Sequence, residues 1–515
     1  MFNLKWKGVS KLGLGAICGI VSAILGAFFG WVLFPALVAI EIDKQTVLEE
    51  GTEQFERFVN IPQPLHFKVF IFNVTNPNEV IEGGVPKVKE IGPYIYRQYR
   101  NKDISSVSPD KRFVIFRGIQ KFIFDEHASA PLTESDNLVV LNVQLNSVVQ
   151  MAESSMPAQL GILNGQLEDV FGEKYDSMFM TVKVSDLLFD GVPLCVNPSG
   201  IASFICSVIK NQKPRAIKEI DDGSMRFSLF GHKNNTDDGL FEIHSGVGDI
   251  EKLGAIRKWN NRHAIKAWMN ATDGGKSTCN FINGTDSTVY APHIKPNAYL
   301  DIFATDICRS VKIYYAGKIR YAGIPGYHFE SGSDFLESIG PEFGNECFCI
   351  DRIVNVPVRS NGCLYKGALD LSTCQGGPII MTFPHMLGSA AEYRTVKGLH
   401  PDPKRHLTFA DIEPNTGYPL RGAKRVQLNM FIKKINQIDV TEQLQTCLLP
   451  IVWVEEGVEL NDAMQSLLKW KLIYILIALD LLYYSMIFGG FLTFAGCSIW
   501  YLVRRNQENK VIPLT

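Results

Sequence analysis

The chain has no excess of charge of either sign. In 515 residues, 51 Lys and Arg stand against 53 Asp and Glu, a formal net charge of -2. That balance gives no bias toward a polyanion and argues against nucleic acid as a partner. Charge of any kind is scarce, 20% of the residues against 46% hydrophobic, where soluble proteins carry about 25% charged. The centre of the chain lacks a Pro/Ser linker, a low-complexity tract and an internal repeat. It also lacks G-x-S-x-G, H-E-x-x-H and a G-x-G-x-x-G followed by a suitable acid, so the common hydrolase, zinc-protease and dinucleotide signatures are excluded. The stretch Asn270 to Ser277 imitates a phosphate loop, but it starts on Asn and no apolar strand leads into it. The ten histidines are scattered without ligand spacing, and no metal site or cofactor is expected. Asp221-Asp222 and Asp237-Asp238 sit in polar, turn-like stretches, where solvated acids are the ordinary content.

What is present is apolar length at both ends. Leu12 to Ile40 runs 29 residues without a charge, and Leu481 to Val503 runs 23, within an apolar tract that begins at Leu472 and is interrupted only by Asp480. About 20 helical residues cross a hydrocarbon core, so both segments can span. A cleaved signal peptide would have a shorter apolar region ending in small residues, which Phe34-Pro35-Ala36-Leu37 is not. Lys5, Lys7 and Lys11 precede the first run, and Arg504, Arg505 and Lys510 follow the second. The positive-inside rule therefore predicts two cytoplasmic tails. The expected division is a tail at 1–11, a span at 12–40, an outer segment at 41–471, a membrane region at 472–503 and a second tail at 504–515. Gly15, Gly19, Ser22, Gly26 and Gly30 fall on one face of the first span and suit close helix packing, against the second span or against a partner.

The outer segment agrees with an extracellular setting. Four Asn-x-Ser/Thr sequons, at Asn73, Asn234, Asn270 and Asn283, are candidate glycosylation sites and all fall between the spans. Nine of the eleven cysteines are there too, six of them within 96 residues: Cys279, Cys308, Cys347, Cys349, Cys363 and Cys374. That density reads as a disulfide framework whose connectivity the sequence leaves open. Zinc is the weaker reading, because Cys347 and Cys349 have one residue between them where structural zinc pairs have about two to four. Strand alternation appears at Phe67, Val69 and Ile71 and at Val426, Leu428, Met430 and Ile432. Helical patterning appears at Leu48 to Phe58, at Val148 to Phe171 around Pro157, and at Asp462 to Trp470. The expected class is α+β with an antiparallel sheet core, since no βαβ alternation recurs. The apolar helical set Val148, Met151, Leu160, Leu163, Leu167, Val170 and Phe171 forms either a buried bundle core or a capture surface.

Several longer patterns resemble the class B scavenger receptors, the family of the fatty acid translocase. They are the cysteine spacing of 29, 39, 2, 14 and 11, Glu90-Ile91-Gly92-Pro93-Tyr94-Ile95-Tyr96-Arg97, Pro384-His385, Asp411 to Gly417 and Arg425-Val426-Gln427-Leu428-Asn429. Within that family the chain is most similar to the insect sensory neuron membrane proteins, through Gly30 to Pro35, Arg226 to Gly231, Gly284 to Pro292, Asp306-Ile307-Cys308-Arg309-Ser310 and Trp453-Val454-Glu455-Glu456-Gly457. The resemblance implies a large β-barrel-like ectodomain with an apical helical bundle, held by two terminal transmembrane helices, and an apolar tunnel through it toward the bilayer. It implies a plasma-membrane receptor for hydrophobic lipid-derived ligands such as pheromones, passed to the membrane or to an odorant receptor complex in olfaction, with no covalent chemistry. The alternative it allows is a scavenger or adhesion receptor that binds lipoprotein or protein cargo through the apical helices. Ligand capture is expected at the apical helices between about Val148 and Phe179, on the apolar helical pattern there, by Met151, Leu160, Leu163, Leu167, Phe171 and Phe179 with Lys174 at the rim. The lysine cluster of the fatty-acid-binding relatives is reduced here to Lys174, which suits a neutral ester, alcohol or aldehyde better than a carboxylate. The implied disulfides are Cys279 with Cys347, Cys308 with Cys374, Cys349 with Cys363 and Cys195 with Cys206, leaving Cys447 free.

Overall fold

A computed structural model describes residues 11–268, 278–336, 345–350, 356–359 and 362–510. Backbone contacts divide the chain into two units, one of the terminal helices with residues 320–324 and one of residues 47–319 and 325–459.

In the first unit, helix α1 covers Lys11–Thr46, passing through a π-turn at Phe29–Leu33 just ahead of Pro35. Proline has no N–H to donate to the turn before it, and a wider turn absorbs the missing bond. The helix outruns the uncharged run, continuing through Glu41, Asp43 and Lys44. The second terminal helix (Asp462–Gln507, called α6 below) likewise starts ahead of its apolar tract, with Asn461 capping it by accepting from the Met464 N–H at 2.9 Å. The two helices pack on each other through glycine: a Cβ on Gly19 would lie 2.6 Å from the Gly490 carbonyl oxygen, and one on Gly490 2.5 Å from the Gly19 carbonyl oxygen. Only hydrogen at both positions lets the backbones meet. Ser22 adds a hydroxyl bond to the Met486 carbonyl at 3.2 Å. Elsewhere Leu14, Ile24, Trp31, Leu481, Phe491 and Leu492 are exposed, an apolar surface suited to hydrocarbon.

The second unit is built on a thirteen-stranded sheet. Its path uses β1 (Leu65–Val74), β2 (Val88–Val107), β3 (Phe113–Phe124), β4 (Thr236–His244), β5 (Ile256–Trp259), β6 (Tyr299–Ala304), β7 (Arg309–Tyr321), β8 (Ile324–Ser331), β9 (Phe409–Glu413), β10 (Tyr418–Ile432) and β11 (Cys447–Glu459), in the order β5-β4-β3-β2-β1-β11-β10-β9-β8-β7-β6. The long central strands pair antiparallel, β1 with β2 and β11, β2 with β3, and β10 with β11. The sheet nearly closes. Ile256 on one edge strand donates its N–H to Gly284 O at 2.8 Å, while Thr285 bonds Asp301 and Phe303 on the other edge. Gly284 is at φ +89°, and a Cβ there would sit 2.0 Å from the Asp301 carbonyl oxygen, so the bridging chain needs glycine at that point. Bridging both edges removes the unpaired rows that open sheets expose.

Period-two alternation sorts the central strands into two faces. One carries Phe67, Val69 and Ile71 of β1, in register with Glu456, Val454 and Val452 of β11, which face Lys424, Val426 and Leu428 of β10. The opposite face carries the ion ladder Lys68–Glu455–Arg425, at 2.7 and 2.8 Å, and then Phe70 stacked on Trp453 at 3.8 Å. Trp453 donates to Glu90 at 2.7 Å, and His385 pairs with the same carboxylate at 2.5 Å. A buried His406 stacks on His385. β1 is thus buried on both faces beyond Lys68.

The helices depart from the sequence pattern where turn chemistry intervenes. The expected helix at Leu48 to Phe58 forms only over Glu53–Val59, because Thr52 caps it by accepting from the Phe55 N–H. The expected stretch Val148 to Phe171 is three helices: α2 (Val143–Ser155), α3 (Leu160–Asn164) and α4 (Leu167–Phe171). Pro157 disfavours helical backbone at the residue before it, and Met156, at φ -142° and ψ 53°, ends α2. A further helix, α5 (Gly200–Gln212), belongs to the same layer. Disulfides join Cys195 to Cys206, Cys279 to Cys347, Cys308 to Cys374 and Cys349 to Cys363. Cys447 is a buried free thiol pushed up to about 12 by burial.

Candidate functional site

The helical layer and the first face of the sheet enclose a cavity of ≈ 380 Å³, a volume in the range of small-molecule sites. Helical spacing forms its walls. Val143, Ser147, Val148, Met151, Ala152 and Ser155 of α2 line it, as do Ile201, Phe204, Ile205, Val208 and Ile209 of α5. These are two stripes at three- and four-residue intervals. The back of α2 is pinned to β10: Asn146 and Gln150 donate to the Phe431 carbonyl at 3.0 and 2.7 Å, and Glu153 pairs with a buried Lys433 at 2.6 Å. α5 is tied down through Cys206, whose partner Cys195 precedes the helix. Phe67, Val426, Leu428 and Val454 close the cavity from the sheet. Met156, Ile162, Ile201 and Phe204 line it while remaining exposed, Phe204 at 69%, so its apolar surface opens to solvent at a mouth between the helices.

One end of the cavity is charged. Lys233, Asp306, Lys424 and Glu456 line it, and the last three also line a second cavity of ≈ 90 Å³ with Arg100, Asp238 and Asp286. Asp306 bonds Lys233 and, at 3.0 Å, Lys424; Glu456 bonds Arg100. Burial pushes the Asp306 carboxyl up, but the two ammonium groups overcome it and hold it well below the usual carboxylate range. Burial likewise opposes ionisation of Glu456, and Arg100 and Lys424 bring it below its ordinary value. Lys424 is raised by the same two carboxylates against its own burial. Asp238 has the opposite balance, raised by burial and by Asp306. His232 is kept neutral, lowered to about 4 by burial and the neighbouring Lys233.

Of the helical residues singled out in the sequence, Val148, Met151 and Leu163 line the cavity. Leu160, Leu167, Phe171 and Phe179 are buried in the main core and are not among its lining residues. Lys174 is exposed, its ammonium 5.0 Å from the Tyr175 ring, and does not line the cavity either. The sequence reading passed over α5, although Ile201, Phe204, Ile205 and Val208 carry the same helical spacing as α2. Lys424 was not singled out, and Glu456 stood only within the Trp453 to Gly457 pattern with no role attached, although its neighbours in the alternation, Val454 and Val458, are apolar. Among the sequons, Asn283 is exposed, Asn73 and Asn234 are half-buried, and Asn270 lies outside the described residues. No cluster of metal-ligating side chains occurs among the described residues.

Two terminal apolar helices, a nearly closed antiparallel sheet and an apolar cavity under a helical layer define a two-pass membrane protein of receptor type. Residues 17–501 match the CD36 family model, and the chain belongs to the CD36 family. It is 42% identical to Sensory neuron membrane protein 2 of Drosophila melanogaster over 95% of this chain and 97% of that protein. It is also 42% identical to Sensory neuron membrane protein 2 of Anopheles gambiae, over 98% and 93%, and 31% identical to Sensory neuron membrane protein 1 of Apis mellifera, over 98% and 93%.

Proposed function

We propose that this CD36-family chain is a plasma-membrane receptor that captures hydrophobic, lipid-derived small molecules, pheromone-like odorants among them. The ligand is taken up between α2 and α5 and passed to the membrane or to an odorant receptor. One observation carries the reading: the apolar lining of the cavity runs out onto exposed side chains, Ile162, Ile201 and Phe204, at its mouth. Each methylene withdrawn from water there gains about 0.8 kcal/mol. The sensory neuron names of the relatives support a sensory setting, and the flanking charges support an extracellular ectodomain with both tails in the cytosol.

Displacement of a fluorescent long-chain ester from the purified full-length protein tests it. Ser147→Trp, which projects an indole into the cavity, should remove most of the affinity while the thermal transition stays cooperative. Undiminished ester binding in that variant would refute the assignment. The alternative, protein cargo held on the exposed helices, is supported by the exposure of Ile201 and Phe204; cargo binding would then survive Ser147→Trp and fail in Phe204→Asp.

A further inference from the structure

Four separate stretches of chain, around Lys233, Asp306, Lys424 and Glu456, deliver the charged end of the cavity, and strand alternation aims the last two the same way as the apolar wall of Val426, Leu428 and Val454. Lys424 lies deep in the protein yet keeps 31% of its side-chain surface accessible, and Asp306 keeps 27%. Both residues line the cavity, so part of that accessible surface faces its interior. The charges that line the cavity balance, Lys233 and Lys424 against Asp306 and Glu456, and each cation is already paired with Asp306. A carboxylate arriving there would meet two carboxylates and no free cation, whereas an uncharged oxygen could accept from the Lys424 ammonium without displacing a partner.

A second observation points the same way. Gln98 and Gln144 line the cavity, each 1% exposed, and Gln98 Oε1 and both amide atoms of Gln144 have no hydrogen-bond partner. Buried amides are rarely left unmatched, because each lost bond costs about 1–3 kcal/mol. A ligand carrying its own donor or acceptor would relieve that cost.

Resting on the proposed function, we propose that Lys424, Asp306 and Glu456, with Gln144, form a head-group site at the inner end of the cavity. The ligand enters head first, its alkyl tail lies toward Phe204 and the mouth, and the site selects an uncharged oxygen-bearing head, such as an aldehyde, alcohol or ester, over a hydrocarbon or a carboxylate. Lys174, exposed and not among the lining residues, takes no part in reading the head.

Competition by hexadecane, hexadecanol, hexadecanal and hexadecanoate for the fluorescent ester on the full-length protein tests this. Hexadecanal and hexadecanol should bind about tenfold tighter than hexadecane, the size of a hydrogen bond to a charged group, and tighter than hexadecanoate. Lys424→Met should erase the preference for hexadecanal while leaving hexadecane affinity in place. Should that variant not fold, Gln144→Leu serves, since it removes an unmatched amide: the protein should become more stable and lose part of the preference for hexadecanol. Equal binding of hexadecane and hexadecanal, or tightest binding of hexadecanoate, by the wild-type protein overturns the head-group site and leaves the cavity assignment standing. Binding of none of the four overturns both.

Discussion

Phe204 and Leu163 both touch the cavity, but the first is 69% exposed and the second 5%, so a charge acts differently at each. Phe204→Asp should change stability by less than about 0.5 kcal/mol and weaken ester binding. Leu163→Asp should cost several kcal/mol, read as loss of the folded protein from the cell surface. Equal surface loss in the two variants would show that Phe204 is structural. His406 gives a pH dependence whose sign follows from its burial. Burial, and after it His385 and Arg405, lower it from 6.5 to about 4. The unfolded chain therefore binds a proton first as pH falls, and the stability fully present above about pH 6.5 drains away toward pH 4, by up to about 3 kcal/mol. His232 adds a drift of the same sign. His406→Phe keeps a ring against His385 and Trp453 but loses the acceptor for the Asp402 N–H, at 2.9 Å. It should start about 1 kcal/mol less stable at neutral pH and lose less on acidification, measured as the shift of the thermal midpoint. Side-chain roles were only half legible in the sequence. The helical period that marks Met151, Leu163 and Phe171 as inward-facing is the same for a side chain in close-packed core and for one on a cavity wall. Distinguishing them requires knowing what stands opposite, which here is Lys424, Val426 and Val454, hundreds of residues away.

At the scale of elements, the strands were the most legible, since alternation is local and the inward set Phe67, Val69 and Ile71 needs no tertiary knowledge. Register was not, because it depends on which strand lies alongside, and β1 pairs with β11, whose residues follow it by almost four hundred positions. Helix ends were set by single residues: Thr52 delays one and Pro157 ends another. The small-residue face of α1 was visible as a packing surface for the second span or for a partner, and it is the second span, α6, that occupies it. This pairing makes a covalent prediction. A Cβ on Gly15 would lie 2.7 Å from Cys497 Sγ, within disulfide reach, so Gly15→Cys should oxidise with Cys497. All four native disulfides lie N-terminal to residue 375. Cutting an engineered protease site at the exposed Gln445 would therefore release the C-terminal fragment from the native protein without reduction. In Gly15→Cys that fragment should stay attached until reductant is added. Release from the oxidised variant would mean that α1 and α6 do not pack through this face.

At the scale of the molecule, two apolar ends and a cysteine-rich, sequon-bearing middle were legible because membrane-spanning length and disulfide pairing both leave compositional marks. The cavity left no such mark, since it is made by elements that meet only in the fold. The proposed orientation rests on charge at the chain ends and is open to a direct test. With Lys5, Lys7 and Lys11 before one span and Arg504, Arg505 and Lys510 after the other, tags on either terminus should be stained only after cells are permeabilised. Glycans provide the complementary side of the same measurement, and the structure ranks the sites. Asn283 is exposed. Asn73 and Asn234 are half-buried, and their side-chain oxygens accept from the Val139 and Phe122 N–H groups at 2.8 and 3.0 Å. Asn283→Gln should thus remove one glycan step from the gel mobility and nothing else. Asn73→Gln should remove any glycan carried there and also cost about 1 kcal/mol, because the longer side chain cannot hold the Val139 N–H in the same geometry. Staining of a terminal tag on intact cells, or a mobility unchanged by glycosidase, would reverse the orientation of the chain and place the mouth of the cavity on the cytosolic side, where it could not meet an external ligand.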